Sequence, residues 1–70
     1  MLTIYRTRGN TVTWDVDGHL QFTSTDGYLA ARKGYLVRTG GDEQGRVSVA
    51  GHMLDESQID TLIAAIKAGA

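Results

Sequence analysis

The sequence contains no cysteine and no proline. Without cysteine it can form neither a disulfide nor a thiolate metal site. Without proline the edge strands of a sheet lack one common guard, so strand addition or dimerisation through an edge costs little. The 70 residues suit one domain with a modest core. Small domains without covalent staples often gain stability by pairing, so a homodimer is an open alternative to a monomer.

The chain also lacks an excess of positive charge and any long apolar run. Seven basic residues stand against eight acidic ones, and the net charge is −1. A dedicated duplex-DNA-binding domain usually shows a clear basic patch, so this balance argues against that role. No apolar run approaches transmembrane length, and residues 1–6 do not begin a signal peptide. We expect a soluble, cytoplasmic protein that does not bind membranes.

The firmest structural prediction is a C-terminal helix over residues 55–68. Asp55 is a good N-cap, and Gln58 stands where a capping box places a side chain that reaches back to the cap. Leu54 and Ile59 occupy the two positions of a hydrophobic staple. An apolar stripe with helical spacing predicts a face buried against a sheet, and it consists of Ile59, Leu62, Ile63 and Ile66.

Residues 1–50 have the pattern of short strands between tight turns. Gly, Asn and Asp punctuate runs that are rich in Thr, Val, Tyr, Leu and Ile. Short adjacent runs joined by tight turns are typical of an antiparallel meander. Residues 28–32 fit either a strand or a helical turn. We predict an α+β fold in one domain, a single antiparallel β-meander of about five to six short strands packed on one C-terminal α-helix, with strands at residues 2–7, 11–16, 19–25, 28–32, 35–39 and 46–50.

Three-residue loops give the first two hairpins a consistent apolar face. Loops of this length at residues 8–10 and 16–18 set Ile4 opposite Trp14 and Trp14 opposite Leu20. The outer face is polar and rich in threonine, with Tyr5 as its aromatic side chain. The inner face, which we expect to meet the helix, holds Leu2, Ile4, Val12, Trp14, Leu20 and Phe22.

No arrangement of residues indicates catalysis, a cofactor or a metal ion. Asp15 and Asp17 are spaced like the start of a calcium loop, but the further oxygen ligands of such a loop are missing. His19 and His52 are the only imidazoles, too few for a zinc site without carboxylates from unrelated loops. The serines lack a nucleophile-elbow motif, and no glycine-rich phosphate loop leads directly into a helix. We predict a protein that is not an enzyme.

Tyrosines and basic residues interleave along the chain. Cationic grooves with stacking aromatic rings hold single-stranded nucleic acid, and Tyr and Arg are also favoured at protein interfaces. The pattern is equally compatible with scattered surface residues of a sheet. The candidate binding residues are Tyr5, Arg6, Arg8, Tyr28, Arg32, Lys33, Tyr35, Arg38 and Arg46.

A set of short motifs follows in a definite order between residues 35 and 66. They are Val37-Arg38, the acidic turn Asp42-Glu43-Gln44-Gly45, the segment Gly51-His52-Met53-Leu54, and a helix with Gln58, Ile59, Leu62 and Ile66. In this order the segment resembles the C-terminal half of the PC4-like single-stranded-DNA-binding coactivators. The chain departs from that family at Ala50, where the family has lysine, and at Ile59, where tryptophan is usual.

The resemblance implies a homodimer that binds single strands across its sheets. The residues implied in this contact are Arg32, Lys33, Arg38 and Arg46.

The leading functional prediction is a small non-enzymatic binding protein that acts through contact with another protein. Short single domains without catalytic residues often serve as inhibitors or accessory factors, including those encoded by phages and mobile elements. The expected contact surfaces are the outer sheet face around Tyr5, an open edge strand and a turn at residues 32–35. The alternatives are the PC4-like dimer that binds single-stranded nucleic acid and a purely structural subunit of an oligomer.

Overall fold

The computed structural model of the chain describes residues 1–18 and 20–69, and these residues form five strands and two helices. The predicted α+β class is confirmed. The single meander on one helix is wrong, because the strands form two separate sheets and a second helix lies between them in the chain. The elements are β1 (Thr3–Arg8), β2 (Thr11–Asp15), β3 (Phe22–Thr25), α1 (Asp26–Thr39), β4 (Arg46–Val49), β5 (His52–Asp55) and α2 (Glu56–Gly69).

The strands predicted at residues 28–32 and 35–39 are wrong, because both segments lie in α1. Thr25 begins this helix as its N-cap, and its hydroxyl accepts a hydrogen bond from the Tyr28 backbone N–H at 3.1 Å. This bond satisfies one of the free N–H groups of the first turn. The alternative of a helical turn at residues 28–32 was therefore the better one.

The end of α1 is also defined by a local bond. Gly40 adopts a left-handed conformation with φ of 80°, and its N–H donates to the Leu36 carbonyl at 2.7 Å. Only Leu29 and Leu36 of the helix are fully buried. So sparse an apolar face has no clear helical period, which explains why Gly27 and Gly34 looked like turns between strands.

The second sheet is a hairpin of β4 and β5. The strand predicted at residues 46–50 is confirmed, whereas β5 was missed. Ala50 and Gly51 connect the two strands with φ of 51° and 89°, the signs that a type I′ turn requires at both central positions. Val49 then lies opposite His52, and pairing continues through the whole of both strands.

The first hairpin of the three-stranded sheet has the predicted pairing at one end only. Ile4 lies opposite Trp14 as predicted. The loop is shorter than predicted, because Arg8 pairs with Thr11 and only Gly9 and Asn10 remain between the strands. A bulge between Ile4 and Arg6 absorbs the difference.

The second hairpin differs from its predicted register. A three-residue loop at residues 16–18 would set Trp14 opposite Leu20, but Trp14 lies opposite Phe22 and Val12 lies opposite Ser24. The inner face of β3 therefore carries a serine where an apolar residue was expected.

The longer connection between β2 and β3 has a local cause. The Asp15 carboxylate accepts a hydrogen bond from the Gly18 N–H, which closes a turn directly after β2. Leu20 was predicted on the inner face and is instead 67% exposed. The predicted strand at residues 19–25 begins only at Phe22, and His19 lies outside the residues that the structure describes.

The C-terminal helix agrees closely with the prediction over residues 55–68. Its capping box is confirmed, since Asp55 Oδ1 accepts from the Gln58 N–H at 2.9 Å and Gln58 Oε1 accepts from the Asp55 N–H at 3.0 Å. The helix packs against β1, β2, β5 and α1. The buried core comprises Val12, Trp14, Leu29, Leu36, Val47, Val49, Leu54, Ile59, Leu62 and Ile66.

Within the described residues, neither helix combines the length and the apolar composition needed to cross a lipid bilayer.

Candidate binding surfaces

The structure divides the predicted binding residues among separate places. Tyr28, Arg32, Tyr35 and Arg38 lie together on α1, whereas Tyr5, Arg6 and Arg8 lie on β1. β1 packs against β2 and α2, while α1 packs against β3, β4 and α2. The remaining two, Lys33 and Arg46, are held in ion pairs.

The first cluster, which we call the α1 surface, consists of Tyr28, Arg32, Tyr35 and Arg38 together with Met53 of β5. Met53 belongs to it because it lines one depression together with Arg32 and Tyr35. Tyr28 and Tyr35 are two helical turns apart and therefore lie on the same side of α1. The Arg32 guanidinium carbon lies 5.0 Å from the centre of the Tyr35 ring, and that of Arg38 lies 5.9 Å from it. Both distances are within cation–π range, so the ring and the two guanidinium groups form one cluster.

Two hydrogen bonds fix the α1 surface against the second sheet. Arg32 Nε donates to the Ser48 carbonyl at 2.8 Å, and the Tyr28 hydroxyl accepts from the Ala50 N–H at 2.9 Å. Arg32 is held in place by this bond while Tyr35 remains 45% exposed. These bonds restrict the side chains of Tyr28 and Arg32, which would reduce the entropy that these two residues lose on binding.

Met53 is the member of the α1 surface that was not predicted from the sequence. It is exposed next to the buried Leu54, as the alternation of a strand requires. The alternation of buried and exposed residues in β5 spans only four residues. So short a pattern, directly before the clear pattern of α2, does not predict a strand.

Arg46 has a structural role. Its side chain is 41% exposed and lines the same depression as Arg32 and Met53. Asp42 Oδ1 accepts from the Arg46 backbone N–H at 2.8 Å, and Asp42 Oδ2 lies 3.2 Å from Arg46 Nη2. Partial burial raises the pKa of Asp42, but hydrogen bonds from the Arg46 and Gln44 backbones and the Arg46 charge outweigh it and lower that pKa. Arg46 therefore joins the loop after α1 to the start of β4.

Lys33 likewise links two elements. Its Nζ lies 2.6 Å from Asp60 Oδ1, which connects α1 to α2. The bond to Asp60 raises the pKa of Lys33, with a smaller contribution from the Glu56 charge. The predicted turn at residues 32–35 is wrong, because these residues are helical and Lys33 points to a different neighbour from Arg32.

The second cluster, the sheet face, lies on the outer side of β1 and β2. Arg6 pairs across the strands with Thr13, and Arg8 pairs with Thr11. These four side chains line a shallow depression of about 180 Å³. Thr13 extends the row to β3 through a hydroxyl–hydroxyl bond of 3.2 Å to Thr23. This face combines two guanidinium groups with hydroxyls, and Tyr5 lies beside it at the bulge of β1.

A third feature, the helix groove, was not predicted at all. It is a depression of about 800 Å³ between α1 and α2. Its apolar lining includes Val37, which is 63% exposed, and the half-buried Ile63. The charged residues of its lining are Asp26, Lys33, Arg38, Asp60 and Lys67.

The described residues that were considered for chemistry include two serines that stabilise the fold. Among residues 1–18 and 20–69, no three His, Asp or Glu side chains lie close enough to share a metal ion. The Ser24 hydroxyl accepts from the Trp14 indole, and the Ser57 hydroxyl donates to Asp55 Oδ1 at 2.6 Å. Comparison of the chain with protein-family models, curated proteins and solved structures found no match in any of the three.

Proposed function

We propose that this chain is a non-enzymatic binding protein, an inhibitor or accessory factor, that recognises an acidic segment of a protein partner through the α1 surface. The observation that carries the proposal is the cluster in which Arg32 and Arg38 lie over Tyr35 while Arg32 is held by the Ser48 carbonyl. Arginine, tyrosine and methionine are the residues that protein interfaces favour.

The positive charges of Arg32 and Arg38 favour an acidic segment of the partner. In the described part of the chain, no carboxylate lies within ion-pair distance of Arg32 or Arg38, whereas Lys33 and Arg46 are both paired. A guanidinium group can bind a carboxylate with two parallel hydrogen bonds. Two such groups beside the exposed Tyr35 and Met53 suit a short segment in which acidic and apolar side chains alternate.

The proposal can be tested with peptides. Selection from a displayed random-peptide library on the immobilised protein should yield acidic sequences with interspersed apolar residues. Binding of a selected peptide is then measured by fluorescence anisotropy for the wild type and for a variant carrying Arg32→Ala and Tyr35→Ala. We expect the variant to weaken binding by roughly 30-fold, as loss of a hot spot of about 2 kcal/mol would.

A matched control variant carries Tyr5→Ala and Arg6→Ala. It also loses one arginine and one tyrosine, and Tyr5 is exposed to a similar degree as Tyr35, at 49% against 45%. This control should keep the wild-type affinity. An absence of acidic sequences among the selected peptides, or equal losses in the two variants, would contradict the proposal.

The second candidate function is binding of single-stranded nucleic acid across the sheet face. It is favoured by Arg6 and Arg8, which have no carboxylate within ion-pair distance among the described residues and flank the hydroxyls of Thr11 and Thr13. Phosphate oxygens accept hydrogen bonds both from guanidinium groups and from hydroxyls. The PC4-like resemblance implies the same ligand, although it assigns the contact to other arginines and Arg38 lies in a helix here.

Salt dependence separates the two candidates. Two phosphate contacts predict that the logarithm of oligonucleotide affinity falls with the logarithm of salt concentration with a slope of about −1.4. In anisotropy titrations with labelled single-stranded DNA and RNA, a variant carrying Arg6→Ala and Arg8→Ala should lose this binding. The variant carrying Arg32→Ala and Tyr35→Ala should retain it. No oligonucleotide binding by the wild type at low salt would eliminate the second candidate.

A further inference from the structure

We propose that the helix groove is the interface of a homodimer, in which α1 packs antiparallel against α1 of a second copy of the chain. This inference concerns the helix groove, which shares Arg38 with the α1 surface. It does not depend on the proposed peptide binding. It is supported by the exposed apolar lining of the groove and by charges and side-chain sizes along α1 that are complementary to α1 itself.

The apolar lining is the first support. Val37 of α1 is 63% exposed although it is one of the larger aliphatic side chains of the helix. Ile63 of α2 is only half-buried and lines the same groove. Burying these side chains against a second copy would remove apolar surface from water, which favours association.

The charges at the two ends of α1 are the second support. Asp26 stands in the first turn and Arg38 in the last turn, and both line the groove. In the described part of the chain neither has an ion-pair partner. The two residues are equally far in sequence from Arg32, so antiparallel pairing about that point sets Asp26 against the partner's Arg38. Two-fold symmetry repeats the pair at the other end.

The side-chain sizes in the same register are the third support. Pairing about Arg32 sets Val37 against the partner's Gly27 and Ala30 against the partner's Gly34. A Cβ atom at Gly27 or Gly34 would have no heavy atom within 4 Å, so packing within the chain does not require glycine there. Glycine inside a helix is less stable than alanine. Close packing of a second helix against α1 would explain why residue 34 is glycine.

These observations favour a second copy of the chain as the partner in the groove. A single antiparallel register of α1 against α1 brings opposite charges together and also sets large side chains against small ones. A net charge of −1 also leaves little repulsion between copies. An unrelated partner would not need to mirror the order of charges along α1.

Sedimentation velocity of the wild type from about 1 to 200 µM should show a concentration-dependent dimer, with a melting temperature that rises with concentration. The variants Asp26→Arg and Arg38→Asp each place like charges together in a homodimer and should weaken it by roughly tenfold or more. An equimolar mixture of the two variants should dimerise again, because each substituted residue then faces an opposite charge.

Val37→Glu is a second test that leaves Asp26 and Arg38 in place. Val37 is exposed, so circular dichroism should show an intact fold, and the variant should be monomeric across the same concentrations. The variant carrying Tyr5→Ala and Arg6→Ala serves as a control and should dimerise like the wild type. A monomeric wild type, a dimer that survives Val37→Glu, or a mixture of charge variants that stays monomeric would overturn the proposal.

Discussion

The Trp14 indole N–H donates a hydrogen bond of 2.9 Å to Ser24 Oγ, and both side chains are fully buried. An indole N–H needs such a partner when it is removed from water. Ser24→Ala leaves this donor unsatisfied, and we expect the free energy of unfolding to fall by about 1–3 kcal/mol. Urea denaturation followed by Trp14 fluorescence measures the change.

The control for this prediction is the neighbouring residue on the opposite face. Thr23 is exposed, and its hydroxyl forms a hydrogen bond with that of Thr13, the one such bond it has among the described residues. Thr23→Ala should change stability by less than about 0.5 kcal/mol. Equal losses at the two positions would show that the buried bond contributes nothing specific.

Local signals explain which elements were predicted correctly. The capping box of Asp55 and Gln58 is complete within a single turn, and an apolar stripe follows it directly, so α2 could be predicted from neighbouring residues alone. In α1 the two fully buried residues are Leu29 and Leu36, while Tyr35 is exposed. The helical conformation of α1 depends on packing against distant elements. A short segment of sequence contains little information about such packing.

The candidate surfaces show the same limit. Arginine and tyrosine could be recognised as interface residues from their type, but the contact of Arg32 and Arg38 with Tyr35 follows from helical spacing that was not predicted. Met53 required knowledge of β5, and the helix groove required knowledge of how α1 packs on α2. Contacts between elements far apart in sequence leave no local pattern.

The type I′ turn at Ala50 predicts a stabilising substitution. Ala50 has a φ of 51°, a region that glycine adopts without steric cost. Ala50→Gly should raise the free energy of unfolding by up to about 1 kcal/mol. The backbone N–H that bonds to the Tyr28 hydroxyl is retained in this variant.

Tyr28→Phe separates the turn conformation from that hydrogen bond. It removes the acceptor of the Ala50 N–H and should lower stability by about 0.5–1.5 kcal/mol. Both variants are compared by urea denaturation. A destabilised Ala50→Gly protein would show that the left-handed conformation of Ala50 is not under strain.

Adjacent glycines after α1 predict unequal costs for the same substitution. Gly40 and Gly41 both have positive φ, at 80° and 73°. A Cβ atom at Gly41 would overlap Leu36 and the Arg46 backbone, whereas one at Gly40 would meet nothing within 4 Å. We expect Gly40→Ala to cost about 1–2 kcal/mol from conformation alone, and Gly41→Ala to cost more because the Arg46 backbone must also move. Thermal unfolding of the two variants gives the comparison, and equal costs would contradict the close approach.

The N-cap of α2 predicts a component of acid unfolding. The Ser57 hydroxyl, together with the Gln58 backbone N–H, holds the pKa of Asp55 below its usual value. Because the pKa is lower in the folded state than in the unfolded one, ionised Asp55 stabilises the fold at neutral pH. This contribution is lost as the pH falls below about 4 and through the folded-state pKa.

Asn is also a good N-cap, but it does not titrate. Asp55→Asn should therefore retain a stable helix at low pH and show a shallower loss of stability between about pH 4 and pH 2 than the wild type. Urea denaturation at a series of pH values measures the slope. Asp17→Asn, which alters an exposed carboxylate in the loop after β2, should leave it unchanged. A wild-type slope in the Asp55→Asn variant would mean that other carboxylates account for acid unfolding.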